Sequence, residues 1–384
     1  MGFKQKLLIL LMSDMFIWFS FGIYYTYIVL YMYEAGLSYF LIGVYNSFGF
    51  FSFTIGNLVG GVLTDKIGRK KTLLTGRFIL PLVFVIIVFL EIEYVFVAIF
   101  LTGLGGAISS ISREAFISEH IPENKQGFYY NLLNSIAGLA YGAGSYFSSI
   151  NVAKIGVLKG FKEACFSAMF LAVIAIFVIF FIKGIDSKES TPEKISIKDI
   201  LSKETLILTI VSTVFFLALA FTWSYISLYA VEILSIPEDQ WGVTQGILFP
   251  LNAILSPLVG KISDKVSLRK NVFFGVLLVC LFNALLAFPL YVGALYYSSL
   301  VVIDIIGEGF LWSTFFKLEV LLTDKEKRGK IYGFVGTVTE TVRGFMSPVI
   351  GITYEKAKNL PFLISINLFT IIPIITIFAN EKEE

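Results

Sequence analysis

Hydrophobic positions along this chain do not alternate with polar ones at a helical or strand period. They run nearly unbroken for about twenty residues or more at a time, and short polar segments separate the runs. Runs of that length cross the roughly 30 Å of bilayer hydrocarbon as α-helices. Twelve can be read, at 7–33, 39–63, 72–90, 95–117, 127–151, 164–183, 205–231, 240–261, 271–291, 294–322, 331–353 and 361–379. The pattern predicts an all-α polytopic membrane protein with twelve transmembrane helices. The first run is too long for a signal-peptide core, and no small-residue cleavage site closes it, so it reads as a retained first helix.

Composition sharpens the class. The chain is 57% hydrophobic and 15% charged, with a mean hydropathy of +0.82; a soluble chain would carry about 25% charge. The net charge of +2 points to no nucleic acid, but its placement is informative. Of the 30 Lys and Arg, 21 fall in the terminal, linker and loop segments assigned to the cytoplasm. Only five fall outside (Lys154, Lys159, Lys162, Lys356, Lys358). This asymmetry predicts a plasma-membrane protein with both termini in the cytoplasm. Cys165 and Cys280 sit in separate apolar runs and read as small packing residues. His120 is the lone histidine. No metal site or cofactor is expected from that set, and no clustered nucleophile or base argues for an enzyme. No phosphate-binding glycine loop is found, which disfavours ATP-driven transport.

The chain is also internally repeated. YIVLYMYE at 27–34 recurs as YISLYAVE at 225–232, and Gly43-Val44 recurs as Gly242-Val243. Gly103-Leu104-Gly105 matches Gly307-Glu308-Gly309, and Lys125-Gln126-Gly127 matches Lys327-Arg328-Gly329. Offsets near 200 in one order imply two six-helix bundles, pseudo-symmetric about the membrane normal. They are expected at 1–183 and 205–384, joined by a cytoplasmic linker at 184–204, either a solvated tether or a short interfacial helix.

Between the second and third runs lies GVLTDKIGRKK, residues 61–71, with a degenerate copy GKISDKVSLRK at 260–270. The pattern of Gly61, Asp65, Gly68, Arg69, Lys70 and Lys71 resembles the loop between helices 2 and 3 of major facilitator superfamily transporters. In the copy Ser267 replaces the second Gly, and Leu268 precedes Arg269. The segment SEHIPENKQG is similar to the family's helix 4–5 region, with Gln126 where an Arg is usual. The resemblance implies the major facilitator fold and alternating access around a midplane site between the halves. Asp65 would end helix 2 beside the start of helix 11, and Arg69 would reach Glu119. With Asp264 in the copy, these would form a cytoplasmic gating latch, whereas Lys70 and Lys71 would only set topology. The family's proton-driven drug exporters carry an Arg where Ile99 stands and a Gly-Pro pair where 138–144 reads GLAYGAG. Both departures weaken that assignment.

Charges inside apolar helices cost about 2.5–3.5 kcal/mol each on insertion scales, so they mark cavities or partners. At 1.5 Å per residue, Asp14 lies roughly 10 Å into the first helix and Arg113 roughly 12 Å from the cytoplasmic end of the fourth, depths that suit a pair. Glu308 and Arg343, at roughly 21 and 18 Å, suggest a second. Asp304 lies one turn from Glu308, and Glu340 lies three residues from Arg343. Lys317 is the repeat counterpart of Arg113. Trp18 and Tyr25 share a helical face with Asp14, and Trp18 and Trp223 are candidates for cavity lining. The alternative for each pair is an internal ion pair that fixes packing. Arg113 and Arg343 would suit an anionic group unless the acids neutralise them.

The predicted function is secondary active transport of a small solute, with Glu308 the preferred proton-exchanging acid and Glu340 in reserve. The partners would be the solute, protons and the lipid bilayer, and the protein is taken as a monomer. The alternative is a proton-driven multidrug or metabolite efflux antiporter; a membrane-embedded enzyme or a channel comes last.

Overall fold

The structure, a computed structural model, describes residues 3–120, 123–182, 202–323 and 328–377. Residues 3–4, 115–120, 123–131, 328–330 and 377 are described by backbone alone. The predicted linker at 184–204 falls outside the described residues in all but its last three positions. In chain order the helices are α1 (Phe3–Glu34), α2 (Tyr39–Ile67), α3 (Arg69–Phe89), α4 (Val95–His120), α5 (Glu123–Phe180) and α6 (Lys203–Trp223). They continue as α7 (Ile226–Glu232), α8 (Glu238–Ser263), α9 (Leu268–Ala287), α10 (Ala294–Leu322), α11 (Arg328–Lys356) and α12 (Leu360–Ile377). A single 3-10 turn, Ile92–Tyr94, leads into α4.

Among the described residues, nine segments are long and apolar enough to cross a bilayer. One of them, Leu132–Phe180, has 49 residues, and a straight helix of that size would run roughly 74 Å, more than twice the hydrocarbon thickness. Non-helical dihedrals at Ile155 and Gly156, the latter at φ 77°, fold α5 into two arms. Glycine carries no Cβ penalty at that angle. The second arm therefore starts at 157, not at the predicted 164. Helices α11 and α12 supply the remaining predicted runs; α11 is the more polar, carrying Glu340 and Arg343, and the apolar stretch of α12 is short, Leu360–Thr376. The seventh run also departs from prediction. A turn at Ser224 and Tyr225 interrupts it, so that α6 ends at Trp223 and α7 begins at Ile226.

The 61–71 motif explains its own turn. Gly68 takes φ 83° as the residue before α3, which a side chain would strain. In the copy, Ser267 takes φ −62°, and the chain turns earlier, through bonds from Lys265 N–H to Ile262 O and from Val266 N–H to Ser263 O, both 3.1 Å.

Two compact units form. The first comprises residues 1–38, 48–191 and 236–253; the second comprises 39–47, 192–235 and 254–384. The segments 39–47 of α2 and 236–253 of α8 thus find their packing partners in the opposite half of the sequence, which a cut at the linker alone does not anticipate. In the first unit, α1 lies along both arms of α5. Thr26 and Ser145 share a hydroxyl bond of 2.7 Å, and Ser20 Oγ donates to Ala168 O at 3.2 Å. Helices α3 and α4 meet at Gly76 and Gly105, where an added Cβ on Gly105 would lie 2.8 Å from Gly76 O. Such close approach by small residues substitutes for the hydrophobic drive that lipid cannot supply. In the second unit, Phe215, Ala218, Val272, Val276, Val279, Leu311, Phe369 and Ile372 form a buried core from α6, α9, α10 and α12. Thr222, Asn283 and Ser365 make a satisfied polar knot beside it, with bonds of 2.8 and 2.9 Å.

Candidate functional site

In the first unit, α1, α3 and α4 bring three charged side chains together. Asp14 Oδ2 accepts from Arg113 Nε at 2.6 Å, and Asp14 Oδ1 accepts from Arg77 Nη2. Arg77 Nη1 also donates to Ser13 Oγ at 2.8 Å, and Ser13 Oγ donates in turn to Ala175 O at 2.7 Å. The pairing of Asp14 with Arg113 inferred from depth is present. Arg77 was missed, although its place eight residues into α3 puts it within reach of the same level. Trp18 lies one turn along α1 from Asp14 and meets Phe21 edge-on; Tyr25 is 43% exposed.

In the second unit the acids and cations sort differently from the prediction. Arg343 Nη1 donates to both oxygens of Glu340, at 2.8 and 3.0 Å, within α11. Glu308 is not its partner. Glu308 Oε1 accepts from Trp223 Nε1 at 3.0 Å. Asp304 lies one turn before Glu308 on the same face of α10 and is buried. Equal depth on two helices does not by itself make a pair, and Glu340, three residues from Arg343 on the same helix, takes that place. The dyad and Trp223 adjoin the break between α6 and α7. Interruptions of this kind are where spanning helices build binding sites.

Other charges were also placed by the fold. Lys317, the repeat counterpart of Arg113, donates instead to Ser263 O at the end of α8, at 2.9 Å. Lys70, expected only to set topology, donates to Phe180 O at 2.9 Å and Ile182 O at 2.5 Å, capping the second arm of α5. Cations satisfy and neutralise helix C-termini in this way. Asp65 is exposed at the end of α2 and within electrostatic reach of Arg69, and Ser112 Oγ holds Arg69 O at 2.5 Å. Gly61 borders open space, and Asp264 is exposed. The side chain of Glu119, the expected partner of Arg69, lies outside the described residues.

A cluster that sequence reasoning did not single out lies at the far end of the second unit. Glu232 accepts from Tyr39 Oη at 2.8 Å and Tyr354 Oη at 3.0 Å, and pairs with Lys358 Nζ at 3.0 Å. Lys358 sits 3.6 Å from the Tyr39 ring centroid, a cation–π contact. Glu232 closes the repeated YISLYAVE, which was the available signal.

Apolar spanning helices with buried ionic groups at interrupted or closely packed positions define a polytopic membrane transporter. The chain belongs to the Major Facilitator Superfamily, whose profile matches residues 8–378. It is an integral membrane protein, a secondary active transporter that works by alternating access. Solved structures agree in fold. A POT family transporter in complex with 5-aminolevulinic acid aligns at TM-score 0.78 and 13% identity, covering 97% of this chain and 96% of that one. The nucleoside transporter NupG, as a point mutant, aligns at 0.76 and 13%, covering 98% and 100%. A D-xylose-proton symporter aligns at 0.70 and 15%, covering 99% and 97%. No curated protein matches the sequence.

Proposed function

We propose that this transporter couples movement of a small solute to movement of a proton, and that Asp304 and Glu308 carry the proton. The observation behind this reading is the placement of two acids one turn apart on α10, Asp304 buried and Glu308 accepting from the Trp223 indole at 3.0 Å. Two carboxylates sharing one face of a helix repel when both are ionised, and a single proton held between them removes that repulsion. No cation pairs with either acid among the described residues, and the Trp223 indole N–H donates to Glu308. Loss of the proton would leave two negative charges one helical turn apart, about 6 Å, a repulsion of roughly 3 kcal/mol at an effective dielectric of 20. The deprotonated dyad must therefore rearrange, and that rearrangement is the coupling step. The solved symporter of similar fold supports the same reading.

The working unit is a monomer in the plasma membrane with both termini cytoplasmic. Halves 1–183 and 205–384, joined by 184–204, are its moving bodies, and Asp65 with Arg69 forms the cytoplasmic latch. The test is solute accumulation in proteoliposomes under a pH gradient. One proton per solute, moved without net charge, supports about tenfold accumulation per pH unit. Glu308→Gln should equilibrate the solute without accumulating it. Accumulation that survives the substitution would assign coupling elsewhere, and a wild-type protein blind to the gradient would be a facilitator.

A further inference from the structure

The ionic cluster around Asp14 in the first unit holds more positive charge than negative. One carboxylate, Asp14, is bonded to two guanidiniums. Arg77 is 3% exposed, and its Nε has no hydrogen-bond partner among the described residues. Arg113 spends its Nε on Asp14, and its Nη groups bond nothing among the described residues. Its side chain keeps 16% exposure against 6% for Asp14.

Arg113 shares one face of α4 with two small residues. Ser110 and Gly106 lie three and seven residues before it, on the same face of α4. A Cβ added at Gly106 would meet nothing within 4 Å. Ser110 donates to Glu114 at 3.2 Å, and Glu114 is exposed, so its charge is solvated and does not balance the triad. A charged face of this kind borders water or a ligand, because hydrocarbon cannot satisfy guanidinium N–H groups.

We propose that the Arg113 guanidinium, with Arg77 behind Asp14, binds an oxyanion of the transported solute, a carboxylate or a phosphate. The inference rests on the transporter reading and adds the substrate class to it. A guanidinium edge offers two parallel N–H donors that match such a group in bidentate fashion. One monoanion brings the triad to neutrality. Asp14 is the positioning residue: it holds the two cations together and fixes the plane of Arg113 through Nε.

The test titrates the purified full-length protein at constant ionic strength with inorganic phosphate, succinate, xylose and choline, reading heat or thermal shift. Phosphate or succinate should bind, and whichever binds identifies the oxyanion. Arg113→Gln should weaken it about tenfold or more, and Arg113→Lys should weaken it less. Failure of both anions to bind, or equal binding by Arg113→Gln, overturns the site. Uptake of a neutral or cationic solute at the wild-type rate by Arg113→Gln proteoliposomes also overturns it and leaves the transporter reading intact. Anion binding without passage of any solute would uphold the site and sink the transporter reading instead.

Discussion

Asp14→Asn should be the most damaging single change in the first unit, and the geometry sets the size of the effect. Asp14 is 6% exposed and neutralises Arg77, at 3%, and Arg113, at 16%. Removing one partner of a buried ion pair costs about 3–5 kcal/mol, since the charge left behind has no counter-ion. Here two guanidiniums are left, and an asparagine can accept from only one of them well. Arg113→Gln is milder, because Asp14 keeps Arg77 and only a charge-assisted bond is lost, about 1.5–3 kcal/mol. The double variant should show coupling of about 0.5–3 kcal/mol relative to the sum. Unfolding free energies from titration of mixed micelles with dodecyl sulfate would supply all three numbers. Additive effects, or a cost for Arg113→Gln equal to or above that for Asp14→Asn, would refute a cluster organised around one shared carboxylate.

Two further changes separate gating from scaffolding. Asp65→Asn should slow transport while leaving substrate affinity within a few-fold, and uptake at the wild-type rate would dismiss the latch. Lys70→Ala removes the donor to Phe180 O and Ile182 O; it should cost about 0.5–1.5 kcal/mol and speed amide exchange in peptides ending at residue 182. Unchanged exchange there would show that the cap contributes nothing.

The apolar runs were legible because a bilayer admits few solutions: every backbone N–H and C=O must be satisfied within the segment, so length and hydropathy suffice to find each helix. Gly68 was legible as a turn because its φ of 83° excludes most side chains. The break after Trp223 was not, since Ser224 and Tyr225 sit in an apolar stretch with no glycine or proline to announce it. Nor was the role of Lys70, because a cation that sets topology and one that caps a helix look alike in one dimension.

The sequence by itself determined the class, the spans, the repeat and the family resemblance, all properties of single segments read against a membrane. It also determined that Asp14 and Arg113 lie at matching depth, because rise per residue is fixed. Only the tertiary structure decided partners. Rotation of each helix about its axis, set by packing such as that of Gly76 against Gly105, turned Arg77 toward Asp14 and Trp223 toward Glu308, whereas Arg343 keeps Glu340 of its own helix. Depth is a one-dimensional quantity that the chain encodes locally; azimuth belongs to the packed whole.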